Sequence, residues 1–143
     1  MTVVDGERPA ATRWPQGWVD VCPLAALTPD RGVAALVHGR AVALFRCSAG
    51  VGLEGGLYAV DNVDPFSGAS VLSRGIVGSL GRRPTVASPV HKQRFDLGTG
   101  EAVDDPAVRL DTWAVRVVDG RVLVSPAPAR VAPPPSGAQP DRS

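Results

Sequence analysis

Thiols are scarce in this chain: Cys22 and Cys47 are the two cysteines among 143 residues. Each lies in an apolar, strand-like stretch, where burial as a small hydrophobe is the expected fate; a disulfide between them is the other reading. No apolar run approaches the roughly 20 residues that cross a bilayer, and the polar N-terminus lacks the charged-then-apolar layout of a secretory signal. A soluble, cytoplasmic protein is expected. An excess of one charge is missing too, since the formal net charge is +1 and the longest basic run is Arg82-Arg83. A nucleic-acid partner is therefore not indicated. Long helical periodicity is also absent: before residue 65 the one helical candidate is Leu24-Ala-Ala-Leu27, a single turn closed by Pro29.

What remains is a succession of short apolar runs broken by Gly, Pro, Asp and Asn, which reads as all-β. The spacing predicts strands at Trp18 to Cys22, Val33 to Val37, Ala41 to Cys47, Leu57 to Asn62, Val86 to Ser88, His91 to Leu97, Thr112 to Val118 and Arg121 to Val124. Two connections predict tight hairpins. Asp119-Gly120 and His38-Gly39 each join two such runs, and glycine tolerates the positive φ of a two-residue primed turn. A small antiparallel β-sandwich or barrel follows. The length suits one hydrophobic core, placed at residues 14–124. Residues 1–13 and the proline-rich 125–143 are expected to be disordered tails, because proline removes backbone donors and fixes φ. From Pro65 to Pro84 many small residues suggest a long connection, the kind of loop that usually binds something.

Glycines in Leu53-Glu-Gly-Gly-Leu57 and between Gly75 and Gly81 do not make a phosphate loop, for they lack Gly-Lys-Ser/Thr and a following helix. Ser88 and His91 do not make a nucleophile and base. With Pro89 between them their side chains need not meet, and neither an orienting acid nor an oxyanion hole is in evidence.

Two segments flanking the connection carry a family signature. The first is Leu57-Tyr-Ala-Val-Asp-Asn-Val-Asp64; the second is Ser88-Pro-Val-His-Lys-Gln-Arg-Phe-Asp-Leu-Gly-Thr-Gly100. Together they resemble the Rieske family, in which a Cys-x-His pair and a Cys-x-x-His pair hold a two-iron, two-sulfur cluster at the tips of two loops. Asn62 stands where the first cysteine would be, Asp64 at the first histidine, Ser88 at the second cysteine, and His91 keeps the second histidine. Such a cluster needs soft thiolate donors, and neither Cys22 nor Cys47 lies in these loops, so no cluster, cofactor or metal is expected in this chain. His91 with Asp64 gives two ligands, where a structural metal site normally has four. Asn62 and Asp64 suit a tight loop instead, bonding nearby amides as braces.

One branch of the family has the same losses. Val42-Ala-Leu-Phe45, Tyr58-Ala-Val-Asp-Asn-Val-Asp-Pro-Phe66, Leu72-Ser-Arg-Gly-Ile-Val-Gly78 and Ala87-Ser-Pro-Val-His-Lys-Gln-Arg-Phe-Asp-Leu97 are similar to the small subunit of assimilatory NAD(P)H-dependent nitrite reductase. The resemblance spans roughly residues 17 to 124. It implies a large-subunit partner that carries FAD, sirohaem and a 4Fe-4S cluster and reduces nitrite to ammonium, in nitrate assimilation, with no catalytic residue in this chain. Arg74, Arg82, Arg83, Lys92 and Arg94 are expected near the two loops, as a docking patch with Phe66 and Ile76 as apolar anchors, or as a solvated face. A Rieske-type ferredoxin with an atypical cluster, or a small-ligand module on the same fold, are the other readings.

Overall fold

A computed structural model describes residues 17–48 and 56–129. The expected tail at residues 1–13 and most of the C-terminal one lie outside them. Twelve strands follow in chain order: β1 (Val19–Pro23), β2 (Gly32–Val37), β3 (Arg40–Arg46), β4 (Leu57–Asp61), β5 (Ile76–Leu80), β6 (Arg83–Ala87), β7 (Arg94–Asp96), β8 (Glu101–Ala102), β9 (Asp105–Arg109), β10 (Thr112–Trp113), β11 (Val115–Val118) and β12 (Arg121–Val124). They form three antiparallel sheets, ordered β1-β12-β11, β10-β4-β3-β2 and β5-β6-β7-β8-β9. No helix among the described residues is long and apolar enough to cross a membrane.

The central four-stranded sheet explains the apolar runs. Side chains alternate between faces along a strand. In β3 and β4, Val42, Leu44, Leu57 and Ala59 enter one core with Trp113 of β10 and with Val122 and Val124 from the three-stranded sheet. Their neighbours Ala43, Phe45, Tyr58 and Val60 enter a second core with Leu72, Val86, Phe95 and Leu97 from the five-stranded side. A strand buried on both faces reads as a continuous hydrophobic run, as these two do. Both predicted hairpins form, with positive φ at His38, Gly39, Asp119 and Gly120, as a type I′ turn requires.

Five expectations change. The expected strand at Thr112 to Val118 is broken at Ala114 into β10 and β11, which belong to different sheets. The connection from Pro65 to Pro84 is not open loop: it holds a 3-10 turn at Leu72–Arg74 and all of β5, which hairpins onto β6 through Gly81-Arg82. Its glycines hid the strand, and Gly75 is there for close approach, since a Cβ would sit 2.5 Å from the Ala87 carbonyl oxygen. The expected strand at His91 to Leu97 shrinks to Arg94–Asp96, because residues 88–93 close a turn in which the Lys92 amide bonds the Ser88 carbonyl and Lys92 takes φ 59°. Strands β8 and β9 went unforeseen; Pro106 argues against a strand but is tolerated at a sheet edge, where β9 lies. The segment from Ser125 to Ala129, expected in the tail, packs on the domain. The Ser125 amide bonds Ala114, and the Ala129 amide bonds the Thr112 carbonyl at 2.7 Å. Leu24-Ala-Ala-Leu27 supplies a 3-10 turn at Leu24–Ala26. Cys22 and Cys47 are free thiols.

Candidate functional site

Strand β4 runs straight into the first loop and β6 into the second, so the two family signatures meet at one end of the five-stranded sheet. The base of the first loop is clamped electrostatically. Arg40 Nη2 bonds both Asp61 (2.9 Å) and Asp111 (3.1 Å), with its guanidinium stacked 4.8 Å from the Trp113 ring. Burial pushes the Asp61 carboxyl pKa up; Arg40 opposes this, and the neighbouring Asp111 charge adds to it.

Asn62 follows, 4% exposed. Its Oδ1 accepts the Ser73 amide at 2.7 Å, and its Nδ2 donates to Ser70 Oγ at 2.9 Å. Its carbonyl takes the Val71 and Leu72 amides. One side chain thereby ties the loop to the 3-10 turn beneath it. Asp64 is fully buried, at 0%. Its Oδ1 accepts the Phe66 amide (2.8 Å) in an Asx turn, and Oδ2 accepts the Ser88 hydroxyl (2.6 Å) from the other loop. Burial opposes ionisation of this carboxyl, yet the donors of Ser88, Phe66 and Ser67 prevail and hold its pKa below the usual value. Asp64 is thus a buried carboxylate held by hydrogen bonds, with no salt bridge to a cation among the described residues. Ser88, 1% exposed, completes the second loop: its hydroxyl also accepts the Val90 amide, and its own amide donates to Gln93.

Three of the four degenerate ligand positions therefore face inward and satisfy one another or the backbone. The fourth, His91, is exposed and outside this network. The braces expected of Asn62 and Asp64 are present. The cross-loop bond from Ser88 and the supporting hydroxyls of Ser67 and Ser70 were not foreseen. A buried amide and carboxylate require donors and acceptors close by, and the Ser67-Gly-Ala-Ser70 run was the available signal.

The donor set does not fit a two-iron, two-sulfur cluster. An amide, a carboxylate and a hydroxyl replace two thiolates and an imidazole, and all three are engaged in protein hydrogen bonds. Cys22 sits in β1 and Cys47 just after β3, where burial and the Asp30 charge push the Cys47 thiol up to about 12. Among the described residues, no group of three or more His, Cys, Asp or Glu is arranged to hold a metal. The rest of the second motif is structural. Phe95 and Leu97 fill the core, while Asp96 caps the turn through the Gly98 (2.7 Å) and Thr99 (3.1 Å) amides.

The expected docking residues divide. Arg74, Ile76, Lys92 and Arg94 are exposed, and register brings Ile76, Ala87 and Arg94 side by side across β5, β6 and β7, next to Ser88. Arg82 and Arg83 lie at the far end of the same hairpin, about 16 Å from Ser88 at the usual strand rise. Arg83 is engaged by the buried Asp96, to which its Nε donates at 2.6 Å. Phe66 is half-buried against Phe95, ring centroids 5.9 Å apart, and so anchors its own loop to the core.

Residues 17–125 match the model of the Rieske-like [2Fe-2S] domain family. The nitrite reductase (NADH) small subunit of Escherichia coli (strain K12) is 37% identical over 105 residues, covering 73% of this chain and 94% of that one. A stretch of the nitrite reductase [NAD(P)H] large subunit of Klebsiella oxytoca is 39% identical over 107 residues, covering 75% of this chain; this chain spans only 11% of that much longer protein. The solved structure of the nitrite reductase [NAD(P)H] small subunit from Erwinia carotovora superposes with a TM-score of 0.64 at 38% identity, covering 90% of this chain and 95% of that one.

Proposed function

The chain belongs to the Rieske-like [2Fe-2S] domain family, among its nitrite reductase small subunits, and from that premise we propose that it is a subunit without a redox centre that binds and supports a cytoplasmic nitrite reductase large subunit. The large subunit would carry the FAD, sirohaem and 4Fe-4S cluster and reduce nitrite to ammonium with electrons from NADH or NADPH. The observation that carries this reading is the Ser88 to Asp64 hydrogen bond. The two loops that grip a cluster elsewhere in the family are here pinned together by a hydroxyl and a buried carboxylate, which keeps their shape without iron.

A rigid loop end with no electron to pass is suited to recognition. The exposed Arg74, Ile76, Lys92 and Arg94 lie beside it, an apolar side chain among cations of the kind found at protein interfaces. The Klebsiella protein supports the choice of partner, because there a segment resembling this chain is part of the large-subunit polypeptide itself. A subunit that binds only the folded partner stabilises it by mass action. The test is reconstitution. Large subunit with this chain added should form a co-purifying complex with a longer active half-life or faster nitrite reduction than large subunit alone. Failure to associate, with activity and half-life unchanged, would overturn the proposal.

A further inference from the structure

Strand β5 is the outer strand of its sheet and, among the described residues, is bonded on one side only, to β6. Which of its amides face outward follows from the register. The Pro84 carbonyl accepts the Leu97 amide, so residue 84 points its backbone toward β7, and residues 83, 85 and 87 point theirs toward β5. Their partners Leu80, Gly78 and Ile76 therefore bond inward. Val77 and Ser79 present their N–H and C=O groups to the open edge.

Edges of this kind are normally blunted by charge, proline, a bulge or a covering segment. In this molecule β9 contains Asp105 and Pro106, β1 contains Asp20, Pro23 and a bulge, and β10 is covered by Ala129. The sequence of β5, Ile-Val-Gly-Ser-Leu, has none of these devices, and Ile76 is 77% exposed on it. Strand β2 is also free of charge and proline, but the backbone of Ser73 closes on its start: a Cβ on Gly32 would lie 2.5 Å from the Ser73 oxygen.

The charge around β5 is equally one-sided. Of the described cations, Arg40, Arg83, Arg109 and Arg121 each meet a carboxylate, Arg46 meets two carbonyls and Arg116 an indole ring. Arg31, Arg74, Arg82, Lys92 and Arg94 have no such partner among the described residues. Arg31 and Arg74 line the groove at the start of β5, Arg82 sits in the turn at its end, and Lys92 and Arg94 lie on the loop and strand beyond β6. The carboxylate in that groove, Asp30, is already bonded to the Ser48 amide and hydroxyl.

We propose that the β5 edge accepts an extended, acidic strand of the large subunit, which continues the five-stranded sheet and sets its carboxylates against the cations at either end. Main-chain bonds to Val77 and Ser79 would supply affinity, and Ile76 and Leu80 the apolar contacts. The occupant is not a second copy of this chain. Antiparallel self-pairing centred on Gly78 would bring the 3-10 turn bearing Arg74 of each copy against the hairpin turn bearing Arg82 of the other, setting like charges together at both ends of the pair. The inference rests on the proposed association with the large subunit and specifies how it is made.

The test is amide hydrogen exchange on the full chain, alone and with the large subunit, read in peptides spanning residues 76–80. Exchange at Val77 and Ser79 should slow at least tenfold in the complex. Ser79→Pro removes one outward donor and no bond to β6, and should weaken association at least tenfold while leaving the thermal melt unchanged. Arg74→Glu with Arg82→Glu should do the same without touching the backbone. A complex that forms with unslowed exchange at 76–80 overturns the edge proposal alone, whether or not the proline variant folds. No complex at all overturns the functional reading with it. Slowing that appears in the chain by itself and grows with its concentration would show self-pairing and overturn the choice of occupant.

Discussion

Removing the Ser88 hydroxyl should cost far more than its size suggests. It is 1% exposed and donates at 2.6 Å to the fully buried Asp64 carboxylate, which makes no salt bridge among the described residues. A hydrogen bond to a charged group contributes about 1.5–3 kcal/mol, and a carboxylate left short of a donor in the interior bears its desolvation penalty. Ser88→Ala should therefore destabilise the domain by about 2 kcal/mol, a fall of roughly 8 °C in Tm for a domain of this size. Asp64→Ala strands the Ser88 hydroxyl and the Phe66 amide together, and should cost about 3 kcal/mol. Because the two residues share one bond, the double variant should be only slightly worse than Asp64→Ala alone, about 2 kcal/mol better than additivity. Urea unfolding of the four proteins, followed by tryptophan fluorescence, measures the cycle directly. If Ser88→Ala costs less than about 0.5 kcal/mol, or the two losses simply add, the bond is not the brace between the loops.

Acid should loosen the same brace. Asp64 is held below its unfolded carboxyl pKa, near 3.9, so its contribution is complete above that value and is lost as pH falls through the folded one. The fall in stability between pH 5 and pH 2 should be shallower in Asp64→Asn than in wild type, and equal slopes would count against it. Gly75→Ala should cost about 2–3 kcal/mol through overpacking, because its Cβ meets both the Ala87 oxygen (2.5 Å) and Val86 Cγ2 (2.6 Å); a variant as stable as wild type would refute the close approach. The Cys47 thiol, buried and pushed up to about 12, should resist alkylation at pH 8 in the folded protein and react on unfolding. Rapid labelling of the native chain at Cys47 would contradict this.

Local patterns survived the passage from sequence to structure, and long-range ones did not. His38-Gly39 and Asp119-Gly120 were readable because a type I′ turn demands positive φ at two adjacent residues, a requirement met by the pair itself. Strands β3 and β4 were readable because burial on both faces leaves an unbroken apolar run. Strand β5 was not: its side chains are mostly exposed, and Gly78 interrupts it, so its strand character comes from pairing with β6. In the site, the losses at Asn62, Asp64 and Ser88 were evident from the motif, as was the bracing role of the first two. The bond between Asp64 and Ser88 joins residues 24 apart in the chain and depends on how two loops meet, which no local pattern encodes. Likewise, Arg82 and Arg83 fall near the second loop in sequence but at the opposite end of an extended hairpin in space.

The loss of soft donors from both loops is tested most directly by assaying iron and labile sulfide, with a visible-absorption spectrum, on the full chain purified anaerobically. A colourless protein with far less than one iron per chain is the predicted result. A brown protein containing two irons and two labile sulfides per chain would contradict it, and would return the molecule to the electron carriers of its family.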